Sequence, residues 1–220
     1  FGVAQRQALY QKGTMPDLLM MTATPIPRSL ALTLFGDLSV STIKTMPPGR
    51  KPVQTHLTKS GNEKKVYEFV RGLLKSGRQA YFIYPLIGES DNSELKNAEA
   101  MAERLAKEVY PEFKVGLLHS RLREEEKRAI MDDFVHGKIH VLVATTVVEV
   151  GVDVPNATAM VIEHAERFGL SALHQLRGRI GRGSEQSYCF LVYSANITPD
   201  AIKRLKVLYS TNDGFALAEE

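Results

Sequence analysis

The chain has 220 residues, enough for one large or two small domains. Hydrophobic residues make up 44% and charged residues 24%, an ordinary globular balance, and a net charge of +3 excludes binding to nucleic acid through overall basicity. One cysteine excludes a disulfide within the chain, and no apolar run approaches the ~18 residues of a membrane span.

Residues 1–11 are compatible with a helix stopped by Gly13. The apolar run 18–22 reads as a buried strand, broken by Pro25 and Pro27, and Pro27 suits the first turn of a helix through Phe35. Residues 38–43 read as another strand. Two strands make a poor independent sheet, so 1–45 is expected to be the tail of a larger domain. A first residue of Phe1 points the same way, to a fragment. Residues 45–52 hold three prolines and a glycine and read as a linker; Lys44, Arg50 and Lys51 fit either a DNA contact or, the favoured reading, solubilising cations.

Beyond the linker, strands and helices alternate. Strands are expected at 53–58, 79–84, 113–118, 139–144, 159–163 and 187–192. Helices are expected at 63–75, 93–109, 123–136, 170–177 and 199–209, with 91–97 a polar loop in which Ser93 caps the second of them. The runs Val141-Leu-Val-Ala144 and Met160-Val-Ile162 are apolar on both faces. That pattern predicts a parallel sheet covered by helices on both sides, a doubly wound α/β domain. Cys189, in Tyr-Cys-Phe-Leu-Val, is expected to be a buried strand thiol.

In such a sheet ligands gather beyond the carboxyl ends of the strands. Thr22-Ala-Thr24-Pro25, Tyr84-Pro85, His119-Ser-Arg121 and Thr145-Thr146 each follow an expected strand. The threonine hydroxyls can bond to phosphate or to carboxylates, although Thr24 also fits a turn cap. Arg121 fits a phosphate contact as well as an exposed loop position. The run Arg123-Glu-Glu-Glu-Lys-Arg128 is read as a solvated face whose acids complement a helix start. Asp153, before Pro155, fits either a ribose hydroxyl or a turn. No metal-ligand spacing is present, since Gly137 interrupts His136 and His140.

The densest signal is His174-Gln-Leu-Arg-Gly-Arg-Ile-Gly-Arg-Gly183. Its arginines offer planar forks that match phosphate oxygens, and its glycines let the backbone approach a partner. Alone, the decamer also fits a basic surface turn. The pattern resembles motif VI of superfamily 2 helicases and translocases. Thr22-Ala-Thr24 resembles motif III, and 144–155 resembles motif V. With Met46-Pro-Pro-Gly-Arg50, Gly116-Leu-Leu-His-Ser-Arg121 and His164-Ala-Glu-Arg-Phe-Gly-Leu170, nearly the whole chain is similar to the RecG family.

That resemblance implies a RecA-like second motor domain over 46–210, preceded by the tail of the first motor domain over 1–45 and followed at 211–220 by the start of a translocation element. It implies that Arg179 and Arg182 are catalytic fingers and that Gly151, Asp153 and Gln175 join them in binding ATP. Thr22, Thr24, Tyr84, Pro85, His119, Arg121, Thr145 and Thr146 would contact DNA or couple it to ATP. The implied partners are replication forks and Holliday junctions, single-stranded DNA-binding protein being a further candidate, for a monomeric bacterial protein of the nucleoid with no membrane contact. The chain has no G-x-x-x-x-G-K-[ST] loop and no strand ending in Asp-Glu, so ATP and Mg²⁺ are expected to be held mainly by a first motor domain, and this chain is expected to be inactive alone. A transcription-repair coupling factor motor and a non-catalytic RecA-like scaffold are the competing expectations.

Overall fold

The computed structural model describes residues 49–85, 91–145 and 152–214, together with 19, 41 and 43, apart from the side chains of 91–94. The expected strands at 18–22 and 38–43 fall almost wholly outside these residues. Leu19, Ser41 and Ile43 are exposed and belong to no strand.

Six strands form one all-parallel sheet: β1 (Gln54–Lys59), β2 (Gln79–Tyr84), β3 (Val115–Leu118), β4 (Val141–Thr145), β5 (Ala157–Ile162) and β6 (Tyr188–Tyr193). Their order is β1-β6-β5-β2-β4-β3. β2 is therefore central, pairing with β4 through Ala80↔Val141 and with β5 through Ala80↔Ala159. Every residue of β2, β4 and β5 is buried, as expected of strands covered on both faces.

Five α-helices flank the sheet: α1 (Glu63–Lys75), α2 (Asp91–Arg104), α3 (Glu124–Val135), α4 (Leu170–Arg177) and α5 (Pro199–Ser210). On one face α1 and α2 place Val66, Val70, Leu74, Ala98 and the following Leu105 against Phe82, Val143 and Val161. On the other, Met131 and Phe134 of α3, Leu173 and Leu176 of α4, and Leu205 and Leu208 of α5 meet Ile83, Leu142, Met160 and Leu191. The alternation of Phe82 and Ile83 between these cores follows from the two-residue period of a strand.

Local chemistry sets several element ends. α5 begins at Pro199, and Thr198 Oγ1 accepts from the Ala201 N–H at 3.3 Å. α3 carries Glu124, Glu125 and Glu126 in its first turn, where the helix dipole favours them. Glu126 accepts from the Arg123 N–H at 2.9 Å. The Lys127–Glu124 and Arg123–Glu126 pairs make this the solvated face expected.

Other boundaries shift for tertiary reasons. β4 starts at Val141 rather than 139, because the Ile139 N–H bonds to Asp133 O and stays outside the ladder. β3 starts at Val115, not at Phe113, whose N–H closes a turn on Tyr110 O. α2 already runs from Asp91, so Ser93 is not its cap. The helix ends in a π-helical turn, Leu105–Val109, that buries Leu105 completely. No periodicity in the sequence announces that widening.

Cys189 is fully buried, and burial pushes its thiol up to about 12. In the native chain it is expected to resist a thiol reagent at pH 8 and to react at once in denaturant. Rapid labelling of the native chain, followed by colorimetry, would contradict this packing.

Candidate nucleotide and nucleic-acid sites

Parallel strands give the sheet two chemically distinct ends. Tyr84 and Thr145 are the last residues of β2 and β4, and His119 follows the last residue of β3. The chain returns to the opposite, amino end before each new strand. Asp153 precedes β5 there, and α4 carries the chain back from the end of β5 so that the arginine segment 178–183 precedes β6. The arginines thus lie apart from the candidates at the carboxyl ends. They lie across the sheet, a strand length of roughly 17–20 Å away.

The arginine segment is held at several points. Arg50 Nε donates to Gly181 O at 2.7 Å. Gly181 has φ +73°, and a Cβ there would sit 2.8 Å from Val53 Cγ2. A Cβ on Gly183 would sit 3.1 Å from Pro155 O. The left-handed backbone of Gly181 favours glycine, and a side chain at Gly183 would have to push Pro155 aside. Ile180 anchors the segment in the core with no exposed surface. Arg182 Nε lies 3.7 Å from Asp153 Oδ1 and 3.4 Å from Gly178 O. Two side chains assigned to ATP from separate motifs are therefore neighbours. Beneath them is Tyr81, 2% exposed, whose hydroxyl burial pushes up to about 12 against the opposing pull of Arg179 and Arg182. Arg179 is half-buried, while Gln175 lies exposed on α4.

Arg177, the third arginine of the motif, points the other way. It is 3% exposed, and its Nη1 bonds to Leu208 O at 2.7 Å, Thr211 O at 2.9 Å and Thr55 Oγ1 at 3.3 Å. It closes the carboxyl end of α5, whose last carbonyls lack helical partners. Burial lowers its pKa.

At the carboxyl ends, three buried polar atoms have no hydrogen-bond partner: Tyr84 Oη, His119 Nδ1 and Thr145 Oγ1. They follow three adjacent strands, β2, β4 and β3. Such groups cost roughly 1–3 kcal/mol each when left unpaired. Desolvation holds the His119 imidazole below its ordinary pKa. Arg121 is exposed two residues beyond.

The family of the helicase conserved C-terminal domain matches residues 64–184. The chain belongs to that family. It is 55% identical over 227 residues to the ATP-dependent DNA helicase RecG of Treponema pallidum, matching all of this chain and 33% of that protein. It thus spans about a third of the length of this relative. A solved structure of RecG bound to a three-way DNA junction superposes with a TM-score of 0.79 at 51% identity, covering 94% of this chain and 27% of that one. Yeast Dbp5 bound to RNA and ADP BeF3 superposes at 0.55 with 17% identity over 86% of this chain and 46% of its own, a likeness of fold alone. The RecA-like motor fold expected from the sequence is therefore the observed one.

Within this helicase domain, some expected site residues fall outside the described residues: Thr22, Thr24, Thr146 and Gly151. Tyr84 and Pro85 are buried rather than displayed, because β2 has neighbours on both sides. The sequence reading also missed two residues. Arg50, read as solubilising, pins the arginine segment. Glu163, at the end of β5, is a buried carboxylate that accepts from Tyr67 Oη at 3.1 Å. A glutamate directly after four apolar residues was the only available signal for it.

Proposed function

We propose that this chain is the second motor domain of an ATP-dependent DNA translocase that remodels branched DNA in recombination and repair. The observation that carries it is Arg182 beside Asp153, three residues on from Arg179, at one end of the sheet, with polar atoms unpaired among the described residues at the other. ATP phosphates are held by a first motor domain, with Mg²⁺, and approach the amino end. There Arg179 and Arg182 meet charge that develops on the transferred phosphoryl oxygens. Asp153 accepts a ribose hydroxyl and orients Arg182, and Gly151 and Gln175 complete the nucleotide wall.

Thr145, Thr146 and His119 face the nucleic acid at the carboxyl ends, with Arg121 beside them, while Thr22 and Thr24 couple the two motor domains. Contacts to phosphates make binding largely independent of sequence. Thr145 and Asp153 are close in sequence yet lie at opposite ends of the sheet, so cleft closure on ATP shifts the grip on DNA. Forks and Holliday junctions are the substrates, single-stranded DNA-binding protein is a candidate partner, and the setting is the bacterial nucleoid. The division into 1–45, 46–210 and 211–220 belongs to the same reading.

The isolated chain is expected to hydrolyse no ATP, with or without DNA, and to bind duplex weakly in a salt-sensitive manner. Phosphate release and fluorescence anisotropy at two salt concentrations test this. ATP turnover by this chain alone, or tight fork-selective binding indifferent to salt, would overturn the assignment.

A further inference from the structure

A polar cavity, of about 440 Å³, opens at the carboxyl ends of β1, β2, β5 and β6. Helices and strands both line it. Tyr67 and Glu63 belong to α1, Tyr84 to β2, Arg104 to α2, and Glu163 closes β5. Arg167 comes from the short turn Ala165–Arg167 that follows. His164 in that turn adopts φ +49°, a left-handed conformation that few non-glycine residues take. The arginine motif is not part of this cavity.

Two features mark it as built for a ligand. Tyr84 lines the cavity, is 7% exposed, and its Oη has no hydrogen-bond partner. Two guanidinium groups, Arg104 and Arg167, share the lining. A hydroxyl donor with forked cations around it matches a tetrahedral anion. We propose that this cavity receives a backbone phosphate of the nucleic acid, held by Arg104, Arg167 and Tyr84 Oη, as a contact additional to Thr145 and His119. The proposal rests on the reading of this chain as a DNA motor.

The two glutamates do not oppose it equally. Glu63 is engaged, accepting from the Gly61 N–H at 2.9 Å. Glu163 is held toward its neutral form, near pH 7, chiefly by burial; Glu63 and Glu166 push the same way, while the Tyr67 bond and Arg104 oppose. His164 lies 3.6 Å from Glu166 on the same turn. A neutral Glu163 adds an O–H donor, and an ionised one repels phosphate. The site is therefore stronger below pH 7 than above it. A phosphodiester does not titrate in this range, so the dependence belongs to the protein.

The test is fluorescence anisotropy of the 220-residue chain with a short labelled duplex, over a salt series at pH 6 and pH 8. Arg167→Ala and Arg104→Ala are each expected to weaken binding about tenfold and to lower the salt slope by about 1. Tyr84→Phe is expected to weaken it severalfold without changing that slope. Glu163→Gln is expected to bind better at pH 8 and to lose the pH dependence. Displacement of the duplex by pyrophosphate at constant ionic strength would identify a free-phosphate site instead and overturn the nucleic-acid assignment. Duplex binding that survives both arginine variants at full slope would sink the cavity site while leaving the motor reading intact. No salt-dependent binding by the unaltered chain would sink both.

Discussion

Replacing Arg182 or Arg179 by alanine in the full-length protein is expected to remove most DNA-stimulated ATP hydrolysis while leaving much of the ATP binding. Guanidinium groups that meet the transferred phosphoryl are worth roughly 10³–10⁵ in rate in comparable systems. Here both arginines leave a segment held by the Arg50–Gly181 bond and by close approaches at Gly181 and Gly183. The loss should therefore appear in kcat, since the rest of the loop keeps its shape. Lysine should rescue poorly, because it keeps the charge and loses the planar fork. Arg182 also neighbours Asp153 at 3.7 Å, so its loss frees that carboxylate and should weaken nucleotide affinity modestly as well. Steady-state hydrolysis at saturating ATP and DNA decides the matter. Near-normal turnover in both alanine variants would reduce these arginines to surface cations.

A different outcome is expected for Arg177, although it belongs to the same motif. Arg177→Met should destabilise the fold by about 2–4 kcal/mol, read as a lower urea midpoint at unchanged slope. The methionine fills most of the volume but leaves Leu208 O, Thr211 O and Thr55 Oγ1 without their donor. Each buried acceptor so orphaned costs roughly 1–3 kcal/mol. Removing a buried cation recovers part of this through its lost desolvation cost, which sets the upper bound. Amide exchange should quicken first at the end of α5, where the guanidinium closes the helix. A midpoint equal to that of the unaltered chain would show that the latch contributes nothing.

Much of the domain was legible before any coordinates. Leu170–Arg177, Glu63–Lys75 and Gln79–Tyr84 form as their patterns predict. Their apolar spacing is a local property, and the two-sided apolar strands implied a covered parallel sheet. Errors concentrated where a long-range bond overrides local preference. Ile139 leaves the ladder for Asp133 O, and α2 widens into a π turn to bury Leu105. The site was half legible. Arg182 and Asp153 were named from separate motifs, but their approach to one another was not written in any spacing.

The sequence by itself determined the fold class, the family and the residue types that can meet a phosphate, because periodicity and motif are properties of neighbours along the chain. Only the tertiary structure decided where those residues point. It sent Arg177 into the core and Arg182 toward Asp153, and it turned Arg50 from a linker cation into a brace. It also separated the arginine segment from Thr145 and His119 by the length of the sheet. The physical reason is that a parallel strand must be followed by a return crossing, which alternately delivers the chain to opposite ends. Which end a motif reaches depends on whether it precedes or follows its strand, and on the partners that bury it there.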